Sequence, residues 1–385
     1  MMKEENPNLP WEMIREIFSW LPTKSLGRFR CVSKPCRSFI SDPNFAKIQL
    51  NRTIDNKHIL FQRRRLVFTN EKRHSIYSCN LDELLNQDSR FLDDGESITE
   101  NIGKSVVVSN LDYVHPEQSS LDGLPLPNFW VLISYCNGLV LFKLNGQELY
   151  LVNPAIREYK KLPKPPSFDT LSLFGFGFDH ASDDYKVVNG WSVKDEIEFA
   201  VYSLKTGFWR VIERRFPYKA MFCFIGFMLN GGVHWLVKIA QDDSWVIISF
   251  LLAEEEVREI PVPFTSYKPL HYKLGVFGEF LCIADWVSSH VDEQYTDFWV
   301  MKEYGVRESW TEKRFSCFIP FSLVHAGCWK KDYVLLICQH KKLLVMYNFS
   351  DGSSHCINIY DFPKVSDAGF YVESLVSLNY PRNID

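Results

Sequence analysis

Apolar positions follow two different periods along the chain. In the first fifty residues Ile14, Ile17, Phe18 and Leu21 fall at i, i+3, i+4 and i+7, one face of a helix. Pro10 sits where a first helical turn tolerates its missing N–H, and Pro22 stops the run. Thr23 then caps a second helix carrying Leu26, Phe29 and Val32, and a third short helix holds Phe39 and Ile40. Asp42-Pro43-Asn44 reads as a turn leading into Phe45, Ile48 and Leu50. Three short amphipathic helices make a poor core by themselves, so a module of this size is expected to bury an apolar face against a partner.

From about residue 57 the period shortens to that of strands. Runs rich in Val, Ile, Phe, Tyr and Trp are broken by Gly and Asn-Gly turns. Residues 139–144, Asn145-Gly146 and residues 148–152 spell a hairpin, because Asn-Gly supplies the two positive-φ residues of a type I′ turn. Asn230-Gly231-Gly232 and Asp351-Gly352 repeat the signal. Strands anchored by Tyr150, Tyr202, Phe250, Met301 and Tyr347 recur about every fifty residues, the period of a kelch-type propeller blade. An earlier copy at Tyr77 is followed by a long polar insertion, residues 83–128, with the acidic run Asp93-Asp94-Gly95-Glu96. The expected fold is mainly β: a small three-helix domain over residues 5–52, then a propeller of about six blades over residues 57–380. The apolar stretch from Tyr371 to Leu378 is expected to pair with strands near His58 to Phe68 and close the ring. Residues 51–57 form a link too short to let the two parts swing freely.

Composition narrows the function. Apolar residues make up 46% and aromatics 15%, enough for a large core and too much for disorder. A net charge of −4 gives no electrostatic support for nucleic-acid binding. Neither a secretory signal nor an apolar run of membrane-spanning length is visible. The expectation is a chain of the cytoplasm or nucleus whose ten cysteines are reduced thiols. No C-x-x-C pair occurs, and Cys31 and Cys36 lack the companions a zinc site needs.

The first segment resembles the F-box. The likeness is carried by Leu9-Pro10, Ile14, Ile17, Leu21-Pro22, Lys24-Ser25-Leu26, Arg28-Phe29, Cys31-Val32-Ser33-Lys34 and Arg37. The chain departs from the pattern at Pro35 and at Cys36, where the family carries Trp. The remainder resembles the F-box-associated interaction domain of plants, a family that includes the S-locus F-box proteins. Residues 137–140 with 153–157, 175–179 with 184–188, 201–204 with Trp209, and 299–306 with Ser309-Trp310 carry that likeness. What it implies is a substrate-recognition subunit of a cullin-based ubiquitin ligase. Leu9, Pro10, Ile14, Ile17, Leu21, Pro22, Leu26, Phe29 and Val32 would meet a Skp-type adaptor and, through it, cullin. The propeller would hold a target protein. Neither cofactor nor catalytic residue is implied.

Enzyme readings are weaker. Asp179, Asp183 and Asp184 offer a carboxylate cluster, yet residues 179–184 read better as a polar turn between strands. A sugar-binding or sugar-processing propeller with an unrelated helical cap is the alternative, and it would need carboxylates ringing one end of the central channel. His234 and His271 read as packed or surface side chains. Gly175-Phe176-Gly177 lacks the rest of a dinucleotide fingerprint. Arg63-Arg64-Arg65 with Lys72-Arg73 reads as a solvated hairpin.

Overall fold

The computed structural model describes residues 9–70, 75–81, 83, 109–114, 120–121, 124–125, 130–167, 172–220, 225–264, 272–277, 279–285, 295–316, 321–323, 333–338, 343–348, 354–357 and 365–379. Five helices come first: α1 (Trp11–Trp20), α2 (Thr23–Phe29), α3 (Lys34–Ile40), α4 (Pro43–Asp55) and α5 (Lys57–Arg63). Local chemistry sets their ends. The Pro10 carbonyl accepts from the Met13 and Ile14 amides at 3.0 and 3.2 Å, opening α1. Ser33 Oγ accepts from the Cys36 amide at 3.2 Å, and Pro35 occupies the first turn of α3, where its missing donor costs nothing.

Two sequence expectations change here. Asp42-Pro43 does not turn the chain out of helix. Asp42 caps α4 through the Asn44 amide (2.8 Å), with Pro43 as the first helical residue. An Asp-Pro pair is at once a turn signal and a helix-start signal, which is why the run after it was mistaken. Likewise residues 57–63 form α5 rather than the first strand, its opening amides at His58 and Ile59 bonded to Asn56 Oδ1. The expected link of residues 51–57 is therefore mostly helical, and the helical part runs to Arg63.

The rest of the described chain folds into five four-stranded antiparallel sheets, one five-stranded sheet and a two-stranded ribbon. The first sheet joins Val365–Val372 to Arg64–Asn70, Ile76–Asn80 and Ser109–Asn110. The second runs through Trp130–Cys136, Leu139–Leu144, Glu148–Asn153 and Glu158–Lys161. The third comprises Leu173–Asp179, Asp184–Val193, Glu196–Ser203 and Trp209–Phe216. In the fourth, Tyr218–Lys219 and Phe227–Leu229 both pair with Gly232–Ile239, followed by Trp245–Leu251 and Val257–Ile260. The fifth holds Tyr272–Phe277, Phe280–Asp285, Tyr295–Met301 and Trp310–Ser316; the sixth, Phe321–Leu323, Tyr333–Cys338, Leu343–Asn348 and Ser354–Ile357.

Each sheet touches the next through its inner strands, and the sixth touches Val365–Val372 of the first, so the sheets form a ring. The closing strand is Val365–Val372, paired with Arg64–Asn70 from Arg64↔Val372 to Asn70↔Val365. This corrects the expected Tyr371–Leu378. Beyond Val372 the chain leaves the sheet and runs along the ring towards the helices. The hairpin at Asn145-Gly146 forms as read, with φ of 50° and 72°, and Asn230-Gly231 matches it at 47° and 78°. Asp351-Gly352 and His271 lie outside the described residues, as do most of the insertion and its acidic run.

The inner strands Trp130–Cys136, Leu173–Asp179 and Val365–Val372 bury residues on both faces. Trp235, wholly buried, packs between the third and fourth sheets with Phe199 and Phe250, and its Nε1 donates to the Phe174 carbonyl at 3.2 Å. Gly175 allows that approach: a Cβ there would meet Trp235 Cζ2 at 3.0 Å and collide with Val233. The Gly175-Phe176-Gly177 run therefore belongs to sheet packing.

Candidate functional site

Helix α1 is apolar on more than one side. Phe18, with Ile14 and Leu21 half-buried beside it, faces a cluster formed by Leu26, Ile40, Phe45 and Ala46. Phe39 and Phe45 pack at 4.2 Å between ring centroids, and Phe18 and Phe29 at 4.9 Å. The adjoining side carries Met13 (52% exposed), Ile17 (48%) and Trp20 (45%) at i, i+4 and i+7. Leu9 and Pro10 lead into that side and are exposed, as are Pro22, Phe29 and Val32, the last at 70%. Met13, Ile17 and Trp20 each keep about half of their surface exposed.

The nine residues singled out for adaptor contact therefore divide. Leu9, Pro10, Ile17, Pro22, Phe29 and Val32 stand on the surface, Ile14 and Leu21 are half-buried, and Leu26 is wholly buried. Leu26 fills the module's own core and has no surface to offer. Met13 and Trp20, which the sequence reading did not single out, stand exposed on the same stripe as Ile17. A helix with two adjoining apolar stripes does not say by spacing alone which stripe its own core takes.

Charged groups hold the outer stripe in place. Arg52 on α4 pairs with Glu16 through both carboxylate oxygens at 2.7 Å and lies over the Trp20 ring, 4.9 Å from its centroid. With Trp20 Nε1 also donating to Glu16 at 3.1 Å, the Glu16 carboxyl is held below its ordinary pKa by Arg52 first and Trp20 second. Buried Arg63 donates to the Trp20 carbonyl at 2.6 Å and to Thr53 Oγ1 at 2.5 Å, clamping α1, α4 and α5 together. It is thus a structural cation, and the expectation of a solvated hairpin fails for Arg63. Desolvation lowers its pKa, with Glu373 opposing.

The helices rest on one face of the ring. Strands in each sheet run antiparallel in order, so the turns at 137–138, 154–157, 180–183 and 204–208 share that face. The helical core is completed from there: Leu375 belongs to it and Ile156 packs against it. In return Leu50 of α4 enters the cluster of the second and third sheets with Leu139, Leu151, Val376 and Leu378. Lys47 of α4 forms an ion pair with Asp183 in the turn after Leu173–Asp179.

Residues 373–379 act as a strap between helices and ring. Asn153 Nδ2 donates to the carbonyls of Ser374 (3.2 Å) and Val376 (2.7 Å), and Ser374 Oγ donates to the Asn137 carbonyl at 3.0 Å. Glu158 accepts from Ser377 Oγ and the Leu378 amide at 2.8 and 2.9 Å. Glu373 pairs with Arg65 at 2.6 Å, and its amide donates to the Arg63 carbonyl. Gly138, at φ +86°, permits the crossing, since a Cβ there would collide with Ser374 and meet the Val372 carbonyl at 2.6 Å. Residues 137–140 and 153–157, two of the segments that marked the chain in sequence, are the strap's seat.

The aspartates form turns. Asp179 accepts from the Ala181 amide (2.9 Å), Ser182 Oγ (2.5 Å) and Lys186 Nζ (2.9 Å). Burial pushes its carboxyl up, and these partners reverse that to a net lowering. Lys186 continues to the Leu252 carbonyl (2.7 Å) and Glu255 (3.3 Å), tying the third sheet to the fourth. Asp184 is engaged by Ser203 and by the Lys205 amide. Among the described residues no group of three or more His, Cys, Asp or Glu is placed to hold a metal, and no helix is long and apolar enough to cross a membrane.

A helical module with an uncovered apolar face, seated on a ring of antiparallel sheets, defines a docking protein built on a propeller. Comparison with known proteins names the parts. The F-box domain matches residues 7–48, and the F-box associated beta propeller domain matches residues 69–378. The chain belongs to the F-box proteins that carry this propeller domain. An F-box/kelch-repeat protein of Arabidopsis thaliana is 28% identical, covering 97% of this chain and 96% of that one. The F-box protein CPR1 of the same plant is 29% identical, covering 96% and 88%.

Proposed function

We propose that this chain is the substrate-recognition adaptor of a Skp–cullin–F-box ubiquitin ligase, working in the cytoplasm or nucleus without a cofactor or catalytic chemistry of its own. The observation that carries the reading is the outward apolar face of α1, uncovered on a module whose family is an adaptor-binding one. A Skp-type adaptor covers Met13, Ile17 and Trp20 together with Leu9, Phe29 and Val32, and cullin joins through it. Covering a side chain of this size contributes about 1.5–3 kcal/mol when complete. Each four- or five-stranded sheet acts as one blade of the propeller.

The geometry of the seat also favours one side of the ring for the target. The helices and strap occupy the face that carries the turns at 137–138, 154–157 and 180–183, which supports the opposite face as the target platform. That face carries the turns at 145–146 and 240–244 and the connection at 162–167. A target held there points away from the adaptor and towards an incoming ubiquitin-loaded enzyme. The test is reconstitution from purified full chain and a plant Skp adaptor, read by size-exclusion chromatography with light scattering. A one-to-one complex that recruits cullin is the expected outcome; two proteins eluting separately at micromolar concentration would overturn the assignment.

A further inference from the structure

Between helices and ring lies a cavity of about 790 Å³ whose walls come from both parts. Lys24 and Arg30 of the α2 region and Lys34 and Arg37 of α3 line one side. Arg157, from the turn between Glu148–Asn153 and Glu158–Lys161, lines the other. Ile156 and Leu375 contribute apolar surface. Five cations and no carboxylate line the cavity, in a chain whose net charge is −4. Among the described residues Lys24, Arg30, Lys34 and Arg37 form no ion pair. Arg157 has one, to Asp112 at 3.9 Å with both side chains largely exposed, and its guanidinium lies over the Tyr113 ring.

Cations gathered from two modules around one concavity repel one another, and solvent relieves that only in part. An anion placed among them offsets that repulsion and meets cations from both parts. We propose that this cavity binds a compact polyanion carrying two or more phosphate groups, bridging Arg157 of the ring to Arg30 and Arg37 of the helices.

Three features favour phosphate on a small molecule over an acidic peptide. Arginine presents a planar fork that matches phosphate oxygens two at a time, and three of the five cations are arginines. The volume lies within the range of small-ligand sites, about 300–1,000 Å³. The walls are helices and a turn, which offer no sheet edge for an added peptide strand to pair with. The consequence is regulatory: a polyanion seated here stiffens the pose of the F-box against the propeller, and with it the placement of the target. The binding goes beyond the adaptor reading and does not depend on it, whereas its regulatory consequence rests on that reading.

The test is isothermal titration of the full chain with inorganic tripolyphosphate, with orthophosphate and a ten-residue poly-glutamate peptide as comparators. Saturable one-to-one binding of tripolyphosphate is expected, weakening as ionic strength rises. Arg157→Glu and Arg30→Glu should each weaken it by about tenfold or more, the loss expected for one charge-assisted contact. Arg210→Glu, away from the cavity, should leave it unchanged. Circular dichroism melting confirms that each variant is folded. No saturable binding, equal affinity in the Arg157→Glu variant, or tighter binding of poly-glutamate than of tripolyphosphate would overturn the proposal.

Discussion

The two sides of α1 differ in what completes them. The inner side meets Phe18's cluster, which the module cannot finish alone: Leu375 and Ile156 come from the ring. The outer side presents Met13, Ile17 and Trp20 to solvent. One helix of ten residues is therefore apolar on two sides for two purposes, one a permanent contact within the chain and the other an open surface. A small helical module completes its core with residues of the ring it sits on, which leaves its remaining apolar face exposed. By contrast, the inner strands Trp130–Cys136 and Leu173–Asp179 bury both faces.

That contrast is broken most severely by removing what joins the two parts. Deleting residues 365–385 takes away both the inner strand of the first sheet and the strap. Arg64–Asn70 is left with an unpaired edge, and the helical core loses Leu375. Insoluble protein is expected, scored by the soluble fraction after expression; a soluble monomer with unchanged melting would contradict ring closure through Val365–Val372.

Leu375→Ala comes next. The side chain is buried in the helical core, and large-to-small core truncations of this kind cost about 2–5 kcal/mol. Chemical denaturation should show that loss together with early exposure of α1–α3 by hydrogen exchange. A loss spread evenly over the sheets would argue that the helices are not finished by the strap.

His234 adds a pH-dependent contribution within the ring. It is wholly buried, Nδ1 donating to the Phe227 carbonyl at 3.1 Å and Nε2 accepting from the Tyr304 hydroxyl at 2.6 Å. The neutral imidazole is thus satisfied, and burial lowers its pKa from 6.5 to about 4. Protons bind the unfolded chain more readily in this window. Its contribution is therefore intact above pH 6.5 and declines as pH falls towards 4, by up to about 3 kcal/mol. His234→Gln should flatten that part of the stability-against-pH curve, measured by urea unfolding at several pH values; an unchanged slope would remove His234 as its source.

Asn153→Ala removes two donors from the strap and leaves the Ser374 and Val376 carbonyls seeking partners, a cost of about 1–3 kcal/mol. The smallest effect is expected at the junction's ion pair. Lys47 and Asp183 are both more than a third exposed, so Asp183→Asn should change stability by less than about 1 kcal/mol.

How far the chain could be read in advance follows from the range of the signals. Hairpins written by Asn-Gly were legible because φ > 0 is a local demand, as Asn145-Gly146 and Asn230-Gly231 show. The fifty-residue recurrence was legible because Tyr150, Tyr202, Phe250, Met301 and Tyr347 sit on corresponding strands of successive sheets. Helices α4 and α5 were misread where one signal has two meanings, Asp42-Pro43 being a cap as readily as a turn. The burial of Leu26 could not be read in advance because it depends on neighbours: Phe18, Ile40 and Phe45 belong to the same cluster only after the helices close. The strap was invisible in advance, since Asn153 and Ser374 are far apart in sequence and carry no local pattern that joins them.

The central claim is that the two sides of α1 have separate roles, and one paired measurement addresses it. Adaptor affinity and melting temperature are determined together for the Met13→Asp/Ile17→Asp and Leu375→Ala variants of the full chain. The outward double variant should lose adaptor binding by about a hundredfold or more while melting within a few degrees of wild type, because two partly exposed side chains leave only the interface. Leu375→Ala should melt lower and, at a temperature where it is folded, bind the adaptor as wild type does. Wild-type adaptor affinity in the Met13→Asp/Ile17→Asp protein would contradict the assignment of the outer face as the docking surface.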